Sequence, residues 1–141
     1  MKQIPETEYA LVLRTDFSDP AAWEEICAEI RKPVGILRFL AYVEFLDDVA
    51  FADIDKNQLL DLMPPDYNHS FIIVADGTAM SQPEHPLLII DLFDESARKF
   101  RAIPTQVQGI ENNLSIGNMD FEEFADAVDK DGIFRGFPED R

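Results

Sequence analysis

The segment Tyr9-Ala10-Leu11-Val12-Leu13-Arg14-Thr15 constrains the fold more than any other. Strands with one wet face alternate apolar and polar residues. This one is apolar at nearly every position, so it reads as a strand central in its sheet. Ser70-Phe71-Ile72-Ile73-Val74-Ala75 is the clearest strand of the chain, and residues 87–93 and 99–103 supply two more.

What lies between the strands sets their directions. Ser18-Asp19-Pro20 opens a helix, with Asp19 as N-cap and Pro20 at the first helical position. Trp23, Ile26, Cys27 and Ile30 share one face of it, Glu24, Glu25, Glu29 and Arg31 the other, and Pro33 and Gly35 stop it. The apolar run 36–46 then reads as a second strand, ending at Asp47-Asp48. Strand, helix, strand in this order implies a crossover and parallel pairing. A short helix over 56–63 follows, capped by Asp55 with Gln58 completing a capping box and ended by Pro64-Pro65. The connections 76–86 and 94–98 hold no helical pattern long enough for a crossover, so the last three strands form an antiparallel meander.

Val107, Ile110 and Leu114 mark a helix opened by Pro104 and closed near Gly117. Phe121, Phe124, Ala125 and Val128 mark another, with Asp120 and Glu123 as its capping box, and the apolar tail 132–137 docks back on the body. The expected class is α/β, with α+β the alternative: a single mixed sheet that begins with a βαβ unit, ends with a meander and has helices packed against it.

Length and composition fit one domain over 1–141: 46% of the residues are hydrophobic and eleven are Phe, enough for a core. Cys27 is the only cysteine, so the chain has no disulfide scaffold. The N-terminus has no apolar stretch of the kind that directs secretion, and the longest apolar runs are far too short for a bilayer, so a cytoplasmic location is expected. The net charge of −16 disfavours direct contact with nucleic acid or anionic lipid, which requires clustered Lys and Arg. It suits a basic protein partner, such as a nucleic-acid-binding protein or a nuclease.

Asp16, Asp47, Asp48 and Asp76 each follow the C-terminal end of an expected strand. If the first three strands run parallel, these carboxylates meet at one edge of the sheet, where open α/β sheets bind ligands and where carboxylates can hold Mg²⁺. Asp is also a common cap and turn residue, which is the plainer explanation. Asp53-Ile54-Asp55-Lys56-Asn57 fails as a calcium loop, because Gln58 stands where Gly is needed and Pro64 where Glu is needed. Cys27 lies on an apolar helix face, His69 and His85 stand in loops without evident partners, and the six Gly form no phosphate cradle. No catalytic residue and no cofactor is assigned. Two polar clusters remain: Arg14 with Asp16 at a strand end, and Glu111, Asn112 and Asn113 in an otherwise apolar helix, where Asn amides commonly tie down a neighbouring loop.

The stretches Leu11-Val12-Leu13-Arg14-Thr15-Asp16-Phe17 with Trp23, Ile110-Glu111-Asn112-Asn113-Leu114-Ser115-Ile116 with Asn118-Met119-Asp120-Phe121, and Asp131-Gly132-Ile133-Phe134-Arg135-Gly136-Phe137 carry a resemblance. The chain resembles a bacterial family of small acidic proteins known only as a domain of unknown function. That resemblance implies a bacterial origin and a one-domain layout, and no activity. Two functional expectations stand: an acidic, non-enzymatic interaction protein of the immunity or inhibitor kind that binds a basic protein, or a divalent-metal-dependent enzyme or ligand-binding domain using the strand-end carboxylates. A homo-oligomer through Phe134 and Phe137 is a third.

Overall fold

Every residue of β1 (Ala10–Arg14) and of β3 (Phe71–Ala75) is buried, as continuous apolar strands require. They lie side by side in a six-stranded sheet of the computed structural model, which describes residues 2–93 and 95–140. The other strands are β2 (Val43–Leu46), β4 (Leu87–Asp91), β5 (Lys99–Ala102) and β6 (Ile133–Phe134), in the spatial order β2-β1-β3-β4-β5-β6. β1 pairs parallel with both β2 and β3, while β3, β4 and β5 form the antiparallel meander. The tail adds a sixth strand parallel to β5.

Alternate residues of the central strands feed two cores. On one face Ala10 and Val12 meet Trp23, Ile26 and Ile30 of α1 (Pro20–Arg31), together with α3 (Gly77–Ser81), α4 (Val107–Ser115) and α5 (Phe121–Ala125). On the other, Leu11, Leu13, Ile72 and Val74 pack under Ile4, Phe51 and Leu59, the last from α2 (Lys56–Asp61). The caps fall where expected: the Asp19 side chain accepts from Ala22 N, and capping boxes stand at Asp55/Gln58 and Asp120/Glu123. Cys27 is buried on the inner face of α1, where burial pushes its thiol up to about 11, so it is an inert core side chain.

Two readings are corrected. The second strand begins at Val43, not at 36, because its register starts at Ala10↔Val43 and β1 has no further residues to offer. Residues 34–39 instead form a small hairpin, closed by the Val34–Phe39 pair, with positive φ at Gly35 and Arg38. The connection after β3 holds one short helix, α3, a single turn marked by its cap Asp76 and too short for a crossover, so β3 and β4 run antiparallel as expected. The helix expected through Val128 ends at Ala125. Asp94, the first residue of the expected turn 94–98, lies outside the described residues. No helix of the described residues is long and apolar enough to cross a membrane.

Candidate functional site

The strand order places the C-terminal ends of β2, β1 and β3 next to one another, so Asp47, Asp16 and Asp76 follow neighbouring strands at one edge. Each carboxylate there has its own donors. Asp16 accepts from the Ser18 N–H at 2.9 Å and from the Ser18 hydroxyl. Asp47 takes Arg14 Nη1 at 3.3 Å. Asp48 caps a 3₁₀ turn through Ala50 N at 2.9 Å and pairs with Lys2. Asp76 caps α3 and receives Arg101 as a fork, at 3.0 Å and 2.8 Å. Among the described residues no three His, Cys, Asp or Glu side chains are grouped as a metal ion would need.

Arg14 is 6% exposed, the unusual cation of this edge. Its Nε donates to the Asp16 carbonyl at 3.0 Å, and its guanidinium lies 4.3 Å from the Phe17 ring centre and 5.5 Å from that of Trp23. Cation–π contact and a carbonyl acceptor thus hold it inward while Nη1 still reaches Asp47, the one exposed aspartate of the four; Asp16, Asp48 and Asp76 are half-buried.

This edge sets a pH dependence. The Ser18 hydroxyl and N–H hold the Asp16 carboxyl below its ordinary 3.8. Lys2 does the same for Asp48, and Arg135 for Glu84 and Asp131. Folded values below the unfolded ones mean stabilisation that is complete above the carboxylate range and lost as pH falls through the folded values. Repulsion among the excess carboxylates relaxes over the same descent from neutrality. The thermal midpoint should therefore peak near about pH 5 and drop below about pH 4. A midpoint still rising at about pH 3 in a thermal melt series would contradict these pairings.

The second polar cluster sits on α4 and has a different task. Glu111 is 4% exposed, and its Oε1 accepts from Tyr42 N at 2.6 Å and Asn112 Nδ2 at 2.7 Å. Asn112 Nδ2 also donates to the Leu40 carbonyl at 3.0 Å. Both residues thereby hold the chain between the 34–39 hairpin and β2 against α4. Asn113 instead donates back to Gly109 O at 2.7 Å and accepts from Asn118, finishing the helix end.

The clamped segment is the feature that the sequence reading missed. Ile36 is fully exposed and Leu37 is 76% exposed, with Phe39, Leu40 and Tyr42 also outside. Burying an aliphatic side chain of this size is worth about 1.5–3 kcal/mol, which these residues forgo in the isolated chain. The signal in the sequence is Ile-Leu-Arg-Phe-Leu placed after a helix stop; its composition alone reads as strand. Also unforeseen is a cleft of about 440 Å³ beside the end of α4, with Phe93, Leu114, Met119 and Phe121 in its wall and Asp91, Asp120 and Glu122 as its carboxylates. Arg98 spans Asp91, at 3.0 Å, and Glu122.

The remaining candidates are structural. His69 Nε2 lies 3.0 Å from the Thr7 carbonyl, and the two His85 nitrogens lie 2.9 Å from Ala79 O and 3.0 Å from Glu25. Phe134 is 1% exposed and Phe137 is half-buried, and both pack against Phe124 within the chain.

A family model described as Domain of unknown function (DUF6924) matches residues 9–137. The chain belongs to this family. The matched span runs from the residue before β1 to the end of the docked tail, and so takes in all six strands of the DUF6924 sheet, the acidic edge, the clamp on α4 and the cleft. Curated proteins offer no match. The DUF6924 description carries no activity, so function has to be argued from geometry.

Proposed function

We propose that the protein is a non-enzymatic interaction protein that presents the acidic edge of its sheet to a basic protein partner. One observation carries this reading: the chain is −16 overall, and at the ends of β1, β2 and β3 its carboxylates are fixed in place by caps and by ion pairs with Arg14, Lys2 and Arg101. Carboxylates already held in place lose little freedom on docking, and complementary charge speeds encounter and sets orientation. The buried lone thiol suits a reducing compartment, and we place the protein in the cytoplasm on that basis.

The test is retention of proteins from a lysate of the source cells on the immobilised protein. A triple variant, Asp47→Asn, Asp48→Asn and Asp53→Asn, serves as the control; Asp53 joins the same edge, its N–H donating to the Thr15 carbonyl just after β1 at 2.7 Å. Asn caps helices about as well as Asp and tolerates the positive φ of Asp53, so charge is removed with little change in fold. A basic protein retained near equal stoichiometry, released by salt and lost with the triple variant, supports the proposal. Equal retention by both forms, or none by either, refutes it.

A divalent cation held at the same edge is the competing reading: strand order brings Asp16, Asp47 and Asp76 to neighbouring strand ends, but no three carboxylates of the described residues are grouped as an ion would need. Under that reading Mg²⁺ or Mn²⁺ raises the melting temperature and Asp16→Asn abolishes the rise. Under the first, neither ion moves it beyond its effect as a salt.

A further inference from the structure

The 34–39 hairpin precedes β2 and therefore lies at the opposite end of the parallel strands from the acidic edge. It also carries a local excess of cations in an acidic chain. Arg31, Lys32 and Arg38 fall within eight residues, and all are exposed. Arg31 lies over the Phe45 ring and Lys32 reaches Glu29, whereas Arg38, on the turn itself, has no ion-pair partner among the described residues. The tip thus offers Ile36 and Leu37, both open to solvent, next to an uncommitted guanidinium.

The cleft by α4 has the complementary chemistry. Its apolar wall of Phe93, Leu114, Met119 and Phe121 accepts aliphatic side chains, and its charged lining stays net negative, three carboxylates (Asp91, Asp120 and Glu122) against the one cation Arg98, which pairs with Asp91 and Glu122. Both halves are carried by one helix: Glu111 and Asn112 of α4 hold the hairpin, and Leu114 lines the cleft. A twofold arrangement then lets each chain give its tip and receive the other's, which closes the assembly with two equal contacts.

We propose that the protein self-associates, the Ile36–Leu37–Arg38 tip of one copy entering the cleft of a second, with Arg38 against Glu122. An apolar anchor seated in a pocket with a charged partner at the rim is the usual form of an interface hot spot. This contact uses neither the acidic edge nor its residues, so it stands or falls independently of the basic-partner proposal.

The experiment is sedimentation equilibrium of the full chain over a wide concentration range. The expected result is a reversible species of twice the 16.1 kDa chain mass. Leu37→Asp, on a side chain already 76% exposed, should weaken it by ~10-fold or more without altering the melting temperature. Arg38→Glu and Glu122→Arg should each weaken it, and together restore it. A monomer at every concentration would overturn the proposal, as would a monomer whose hairpin instead binds phosphatidylserine vesicles. A dimer indifferent to Leu37→Asp, or one for which the charge swap fails to restore association, would overturn it equally.

Discussion

Phe124→Ala is expected to destabilise the protein by about 3–5 kcal/mol, a large part of the stability of a domain this size. Phe124 is 1% exposed and lies at the centre of an aromatic cluster. Its ring stacks on Phe100 at 6.5 Å, meets Phe134 edge-on at 5.4 Å and touches Phe137 at 5.5 Å. Those three partners come from β5, β6 and the residues just after it, so one ring joins α5 to the last strand pair. β6 has only two residues and pairs with β5 through Arg101↔Ile133 and Ala102↔Phe134, too few hydrogen bonds to hold the tail alone. Removing the ring leaves a cavity that this short strand is poorly placed to close. Chemical denaturation should show a lower midpoint at an unchanged slope. A loss under about 1 kcal/mol would mean that the tail is held by something other than the cluster.

The second large effect is at Glu111. Truncation to Ala strips Tyr42 N of its acceptor and leaves Asn112 Nδ2 with the Leu40 carbonyl alone. Leaving a buried donor unsatisfied costs about 1–3 kcal/mol, and because Tyr42 and Leu40 are exposed the loss should fall at the low end of that range. The loss should be local as well as global: amide exchange at Tyr42 should quicken, and the hairpin should loosen from α4. Glu111→Gln keeps an oxygen for Tyr42 N and removes a charge that has no ion-pair partner among the described residues, so it should cost much less. Equal losses for Gln and Ala, followed by urea titration and exchange, would show that charge and not acceptance is what the site needs.

The sequence discloses the sheet and its caps because those depend on local chemistry. Continuous apolar runs require burial on both faces, and Asp19, Asp55 and Asp120 can satisfy helix N–H groups in one way only. α3 was not legible, since five residues complete barely one turn and Gly77-Thr78-Ala79-Met80-Ser81 has no apolar period. The hairpin was not legible for a different reason. Ile36, Leu37, Phe39 and Leu40 have the composition of a strand, and only the length of β1 decides that pairing stops at Val43. Of the polar residues singled out, Asp16, Asp47 and Asp76 do share an edge because strand order follows from the crossover, whereas their partners do not. That Asp76 is gripped by Arg101, or Asp48 by Lys2, depends on contacts between distant segments. Glu111 stood out as a polar residue in an apolar helix, but its partner, the Tyr42 amide, lies 69 residues away.

The most direct measurement of the central claim is hydrogen–deuterium exchange of the protein, free and bound to the basic protein that it retains. If the acidic edge is the docking face, slowed exchange should be confined to the turns after β1, β2 and β3, around Asp16, Asp48 and Asp76, with the 34–39 hairpin unchanged. Protection centred on the hairpin or the α4 cleft, with those three turns exchanging as in the free protein, would contradict it.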